Sequence, residues 1–555
     1  MVLGFKNFRK NPCNGKFFSF ILSRNFSTQR QQTIWRAKNV SYLIASGVVF
    51  GGLCSYSGKL ISRNSSTKLK DLRPPRYASE TEFDLAVNKI KLIVGEKNVT
   101  NSIVDINHHS TNEFTTITPG RSQKPKCVVY PESTEEISKI MKVVFEYNVP
   151  VVPYSGGTSL EGHFHSTRPG ILLSLKRMNK ILAVHEDDLD AVVQGGVGWV
   201  ELNNYLEPSG LMLGCDCGTG AQISGMINTN ASGLNASRYG AMKENVIGLT
   251  VVLADGTIIK TKKRPRKSSA GYNLTGIFIG SEGTLGIVTE ATVKLHVRPK
   301  YETVAVAQFQ DISDTTNTVT SILRSGIQVQ LVELMDKNMM KFVNYSDLTT
   351  RKWQETPTLF LKVGGLNQIV VNEYIKKIKN ITQMNNCKDF IFANNKEEGE
   401  ELFAVRKGAF YAMLDYGYNE IDENIKLWVT DIAVPLSKLS SVLKTIDGYF
   451  EESGFQTAIL GHVGDSNFHA DIYYKEDEFE KCQDLVTRMI KLGLSNEGTC
   501  TGEHGIGIGK RNFLEIELGE DAINLMRKLK LALDPKRLLN PDKVFKIDPN
   551  DMGQS

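Results

Sequence analysis

Apolar residues at 137, 140, 141 and 144 in "PESTEEISKIMKVVFEYNVP" (131–150) fall on one helical face. Ser133 and Glu136 ahead of them fit a capping box, and Pro150 is expected to end the helix. The period then changes: "VVPYSGGTSLEGH" (151–163) begins as a short apolar strand and breaks into a glycine loop, while "VIGLTVVLADGTII" predicts two strands joined by an Asp255-Gly256 turn. Beyond residue 300, strand patterns such as "TVAVAQF" and "TPTLFLKVGG" alternate with amphipathic stretches such as "DTTNTVTSILRSG". "EELFAVRKGAFYAML" reads as a helix with Phe403, Phe410 and Leu414 largely inward. This mixture predicts an α+β protein, and 555 residues are too many for one ordinary core. One stretch breaks both periods. "NVSYLIASGVVFGGLCSYSG" (39–58) is uncharged for twenty residues between Lys38 and Lys59, roughly the helix length that spans a bilayer core. It is expected to be a transmembrane or sorting segment.

Charge sharpens the reading of that end of the chain. The net charge of +5 hides a split: residues 1–70 carry twelve Lys/Arg and no acid, which leaves 54 basic and 61 acidic residues in the rest. A mildly acidic body argues against nucleic-acid binding and suits a basic protein partner. Residues 1–38, basic, acid-free and rich in Ser, Thr and aromatics, have the composition of a mitochondrial presequence. Joined to 39–58 they point to the mitochondrial inner membrane, with the body on its outer, intermembrane-space side. Residues 59–120 read as a linker and lead-in. The eight cysteines include no CxxC, so they supply no disulfide framework; the lone CxC at 215 and 217 is read as packing before metal ligation.

Two groups of residues carry candidate chemistry. In Ser155-Gly156-Gly157-Thr158-Ser159, paired glycines let backbone N–H groups converge on an anion and the hydroxyls add donors, although an ordinary glycine turn would look the same. "GCDCGTGAQISGMINTNASGLNASRYG" (214–240) is dominated by small and amide side chains that let backbone approach a large planar or phosphorylated ligand. Its Gly218-Thr-Gly220-Ala-Gln-Ile fails the GxGxxG pattern, which argues against a Rossmann nicotinamide site. The second group is "GHVGDSNFHADI" (461–472) with "TGEHGIGIGKR" (501–511). His462 and His469, seven apart, would lie on opposite faces of one strand, so a Gly-Asp turn has to bring them together. With Glu503 they suit a divalent Zn or Mn; two buried, hydrogen-bonded histidines are the alternative. His504 is then free to act as a base near its operating pH, or is a third ligand or structural.

The ordered set "PYSGGTSLEG", "ISGMINTNASGLNASRYG", "GYNLTGIFIGSEGTLGIVTE", "GHVGDSNFH" and "GEHGIG" resembles the FAD-linked oxidases of the vanillyl-alcohol-oxidase/PCMH type, within them the branch oxidising D-2-hydroxy acids. The resemblance covers residues 115 to 548. It implies a two-subdomain PCMH-type FAD-binding domain over 121–300, an α+β substrate or cap domain over 301–530, and a C-terminal segment, 531–555, returning to the FAD domain. It implies noncovalent FAD with its pyrophosphate on Gly156, Gly157, Thr158 and Ser159. Gly218, Asn228, Ser232, Gly233 and Tyr239 would line a second cradle, Glu282, Gly283 and Ile287 would flank the nucleotide, and Asn540 would lie near the flavin ring. It implies His462, His469 and Glu503 as metal ligands and Arg406 as the partner of a substrate carboxylate. The expected reaction oxidises D-lactate, with hydride passing to flavin N5, the hydroxyl proton to His504, and electrons leaving to cytochrome c. D-2-hydroxyglutarate and glycolate are the alternative substrates, and a catalytically dead, membrane-tethered binding module is the alternative of another class. The chain departs from the pattern at Asp216-Cys217-Gly218, where relatives have Asp-Pro-Gly, at Tyr154-Ser155, where they often have Arg-Gly, and at Ser466, where they commonly have glycine.

Overall fold

The capped helix of residues 131–150 ends sooner than its proline. A computed structural model describes residues 66–551 except 113–114, 118–119 and 121–122, so the expected presequence, 1–38, and the expected membrane or sorting segment, 39–58, lie outside the described residues. Among the described residues no helix is long and apolar enough to cross a membrane. The lead-in holds more than a linker. Glu80–Val94 forms helix α1, with Ser79 and Glu82 in a reciprocal capping box and Phe83, Ala86, Ile90 and Val94 buried. It packs beside α2, Thr134–Tyr147. Ser133 caps α2 through the Glu136 N–H, but the Glu136 carboxylate accepts from the Glu132 N–H, so the box is not closed. Asn148, left-handed at φ 56°, stops the helix before Pro150.

These helices cover a four-stranded sheet of β1 (Val99–Thr100), β2 (Cys127–Val129), β3 (Val151–Tyr154) and β4 (Ile171–Ser174), in the order β1-β2-β4-β3. β2 and β3 both run parallel to β4. The next sheet is antiparallel, β5 (Ile181–His185), β6 (Asp190–Gln194), β7 (Val246–Val252), β8 (Ile258–Lys260) and β9 (Ile287–Lys294), in the order β5-β6-β9-β7-β8. The Asp255-Gly256 turn joins β7 to β8, and the positive φ of Gly256 explains its glycine. Helix α3, Ile223–Thr229, buries Ile223, Met226 and Ile227 in the core of this sheet.

The second half is one large antiparallel sheet. β10 (Tyr301–Gln308), β11 (Val329–Met335), β12 (Thr358–Gly365), β13 (Asp389–Phe392), β14 (Lys426–Trp428), β16 (Thr457–Gly461) and β17 (Asn467–Tyr474) follow the order β13-β10-β12-β11-β16-β17-β14, with β15 (Ile432–Ala433) paired to β17. One core lies against the helices 312–324, 368–384 and 436–453, and another under helix α4, Lys396–Tyr416.

After α5, Glu520–Leu533, the chain returns to the first sheet, where Leu539 bridges Val151. Buried Lys530 fastens this return: its Nζ meets Asp534 Oδ2 at 2.6 Å and the carbonyls of Thr284 and Leu539 at 2.7 Å. Removing the carboxylate strands a buried cation. Asp534→Ala is expected to lower stability by about 3–5 kcal/mol, measured by urea unfolding followed through flavin release and circular dichroism.

Candidate active site

Loops around the three larger sheets line a cavity of about 1020 Å³, just above the roughly 300–1,000 Å³ range of ligand pockets. Its lining includes Gly156, Gly157, Thr158, Ser159, Gly218, Asn228, Gly233, Glu282, Gly283 and Asn540, together with Arg406, His462, His469, Glu503 and His504. Ser232, Tyr239 and Ile287, expected at the nucleotide, are not in its lining. Ser232 instead bonds Glu503. Tyr239 packs on His296 at 4.6 Å, and Ile287 is buried in the core of the first sheet. Glu282 does line the cavity, yet its carboxylate is committed to the second half, accepting from the N–H groups of Ile506 and Gly507 at 2.7 and 2.8 Å.

The glycine loops form a cradle that side chains would fill. A Cβ on Gly156 would lie 2.5 Å from the Gly220 carbonyl oxygen, so the two glycine-rich segments touch backbone to backbone. Asn540 donates to the carbonyls of Glu282 and His163 at 2.6 and 3.0 Å, while its buried Oδ1 has no hydrogen-bond partner among the described residues. A cradle without side chains, an orphaned acceptor and this volume fit a dinucleotide such as FAD. Gly156→Ala is expected to weaken FAD binding roughly ten- to hundredfold, from about 1–3 kcal/mol of overpacking. Flavin absorbance per mole of purified protein, against free FAD concentration, checks it.

In the same cavity, geometry answers the question of the two histidines. His462 follows β16, a tight turn covers Val463–Asp465, and β17 carries His469 opposite Leu460. The hairpin thus folds both rings to one side, with centroids 5.5 Å apart. Ser466 takes the left-handed φ of 57° in this turn, which accounts for the glycine of similar chains. Glu503 Oε2 accepts from Ser232 Oγ at 2.7 Å and the Gly233 N–H at 3.0 Å. Its Oε1 is left facing His462 Nε2 at 3.0 Å and His469 Nε2 at 3.5 Å. Each imidazole is fixed from behind: His469 Nδ1 lies 2.8 Å from the Thr430 carbonyl, and His462 Nδ1 2.9 Å from Glu333 Oε1. Those partners only accept, so both Nδ1 atoms carry protons. Two neutral imidazoles then aim Nε2 lone pairs at a buried carboxylate. That arrangement needs a proton or a cation at its centre, and the donor set suits a divalent ion such as Zn or Mn. Burial opposes charge on His462, but Glu333 and Glu503 outweigh it and raise its pKa well above the ordinary value. Burial likewise opposes charge on Glu503, which His462 and His469 hold well below the carboxylate range.

His504 stacks on His469, centroids 5.0 Å apart and planes 14° from parallel. Its Nδ1 is buried without a hydrogen-bond partner among the described residues. Burial lowers its pKa to about 4, only partly opposed by Asp431, so it does not titrate near neutrality as its residue type suggests. It is therefore a neutral proton acceptor. Arg406 is buried on α4 with Nε and Nη2 at 3.0 and 2.8 Å from Glu333 Oε2. Because Glu333 occupies that edge, a ligand carboxylate can meet only the remaining face of the guanidinium.

Three acids here were not legible as functional. Glu333 stands alone in "VQLVELM", and Asp431 in "VTDIAV". Asp431 organises the turn before His504, its Oδ2 accepting from Thr501 Oγ1 at 2.7 Å and the Glu503 and His504 N–H groups at 2.9 Å. Asp471 shares the His469 face of β17 and lines the cavity, with burial raising its pKa to about 7. A lone acid inside an apolar strand was the available signal, because buried carboxylates persist only when paired.

A fold with a dinucleotide cradle facing a His/Glu cluster defines a flavin-linked oxidoreductase, and two family models agree: FAD binding domain over residues 125–262, and FAD linked oxidases, C-terminal domain, over 298–544. The chain belongs to the FAD-linked oxidases of the PCMH type and is an FAD-dependent oxidoreductase. It is 47% identical over 522 residues to the mitochondrial D-lactate dehydrogenase [cytochrome] of Kluyveromyces lactis, covering 92% of this chain and 90% of that protein. It is 50% identical to the mitochondrial D-lactate dehydrogenase [cytochrome] 1 of Saccharomyces cerevisiae, covering 88% of this chain and 84% of that one. The crystal structure of p-cresol methylhydroxylase with substrate bound superposes with TM-score 0.70 at 16% identity, covering 85% of this chain and 98% of that one, a likeness of fold.

Proposed function

We propose that this protein oxidises D-lactate to pyruvate in mitochondria, with FAD as cofactor and cytochrome c as electron acceptor. The convergence of His462, His469, Glu503 and His504 in the same cavity as the glycine cradle carries the reading. The two curated relatives support the substrate and the acceptor.

Bound FAD would supply the redox chemistry, taking two electrons and the Cα hydrogen and releasing the electrons singly. A divalent ion on His462, His469 and Glu503 would lower the pKa of the substrate hydroxyl. The chain's own residues do the rest. Arg406 neutralises and orients the carboxylate through its free face. His504, a neutral imidazole in the cavity lining, takes the hydroxyl proton. Phe403, Phe410 and Leu460 line the same cavity and keep water from the methyl side. The FAD is held noncovalently, because the glycine loop Ser155–Ser159 itself carries no histidine to attach it. Acid precipitation should release all the flavin into the supernatant.

At the inner membrane, residues 39–58 would anchor a body facing the intermembrane space, where an acidic surface suits a basic electron acceptor. This rests on the basic, acid-free 1–38 followed by the uncharged 39–58. Protease should leave the body intact in whole mitochondria and cut it once the outer membrane is ruptured; protection in both would move the body to the matrix. Substrate choice is tested by steady-state rates of cytochrome c reduction on D-lactate, glycolate and D-2-hydroxyglutarate. D-Lactate should give the largest kcat/KM, and a larger value for either of the others would reassign the substrate.

A further inference from the structure

We propose that Glu333 is a positioning residue that joins the two halves of the substrate site, holding His462 in the tautomer that ligates a cation while aiming the Arg406 guanidinium into the cavity. The proposal rests on the metal reading above and extends it to a residue outside the ligand set.

Glu333 sits inside β11, a strand whose seven residues are all buried, and its side chain is 1% exposed. A carboxylate survives in such a place only with its charge paired and its oxygens hydrogen-bonded. Both conditions are met by cavity residues. The antiparallel register of β11 with β16, Leu334 against Gly461 and Met335 against Leu460, carries on to set Glu333 across from His462. Its oxygens lie 2.9 and 3.0 Å from His462 Nδ1, and Oε2 also accepts from Arg406 Nε and Nη2. One rigid anion therefore anchors a residue for the hydroxyl end of a 2-hydroxy acid and a residue for its carboxylate end. The spacing of those ends is fixed in the substrate, so a shared anchor keeps the two protein groups in register.

An amide cannot do this. In Glu333→Gln the oxygen can face only one partner. If it faces His462, the NH₂ group opposes the Arg406 donors. If it faces Arg406, the NH₂ group donates to Nδ1, and the neutral imidazole moves its proton to Nε2, where the cation lone pair must be.

The test uses FAD-loaded wild type, Glu333→Gln and the double variant Glu333→Leu/Arg406→Gln, which leaves no buried cation unpaired and no acceptor from residue 333 behind His462, and decides the matter if the single variant does not load FAD. Each is stripped of metal and titrated with Zn²⁺ against a competing chelator. Zn²⁺ affinity should fall roughly 10–100-fold in both variants, with FAD content unchanged. Saturating Zn²⁺ should then restore kcat in Glu333→Gln but not KM for D-lactate, which Arg406 sets. A merely structural residue would show no such split. Wild-type Zn²⁺ affinity together with wild-type KM in Glu333→Gln overturns the positioning role. Failure of the wild type itself to take up Zn²⁺ overturns the metal reading, and this inference with it.

Discussion

His504→Ala slows flavin reduction by D-lactate about 10²–10⁴-fold, the range of a positioned general base, while FAD content stays at the wild-type level. The retained flavin follows because His504 is not part of the glycine loops, and the loop that carries it is held by Asp431 and Glu282, not by its own ring. Stopped-flow absorbance under anaerobic conditions separates the two effects. The pH profile adds a second signature. Burial lowers the imidazole to about 4, and the base works unprotonated, so the acid limb of kcat/KM that reports it falls near that pH, with activity lost as pH drops through it. An acid limb near the ordinary histidine value, removed by His504→Ala, would contradict the burial argument. Reduction at the wild-type rate in His504→Ala would remove it as the base.

Stripping the proposed divalent ion is expected to slow the same step about 10²–10³-fold, because several kcal/mol of polarisation at the hydroxyl would be lost. Zn²⁺ or Mn²⁺ restores the wild type but not Glu503→Ala. The carboxylate is the common point of the His462–His469–Glu503 cluster, 3.0 and 3.5 Å from the two Nε2 atoms, so its removal takes away that cluster's anionic member. Protons and the cation compete for the same lone pairs on His462 and His469, whose pKa values the surrounding carboxylates raise against burial. Metal affinity is therefore expected to rise with pH, read by chelator competition at several pH values. Full turnover by protein with no metal detectable by elemental analysis would refute this part.

How much of the site was written in the sequence follows its physics. The glycine loops were legible because a missing side chain is a local demand: Gly156 must touch Gly220, and no other residue permits it. The α2 face was legible because its period is local, although its end was not, since Asn148 can leave the helix on its own. The histidine pair was half legible. Strand alternation argued against a shared side, and the hairpin turn of Val463–Asp465 reversed that argument. The expectation of metal ligation came from resemblance, and the structure adds what sequence could not, Nδ1 atoms of both rings held by Thr430 and Glu333. Glu333 and Asp431 were not legible because their partners lie far along the chain: Glu333 pairs across 73 and 129 residues. Tyr239 and Ile287 were placed at the nucleotide by membership in a motif, while Tyr239 packs on His296 and Ile287 lies in the core of the first sheet.

The central claim is that this cavity joins a flavin to a base and cation site built for one hand of a 2-hydroxy acid. It is tested most directly by mixing the FAD-loaded protein with D-lactate or L-lactate in the absence of oxygen and following flavin absorbance. D-Lactate should bleach the flavin completely and yield one pyruvate per FAD, with L-lactate leaving the oxidised spectrum in place. Persistent colour with D-lactate, or equal bleaching by both, would contradict the account.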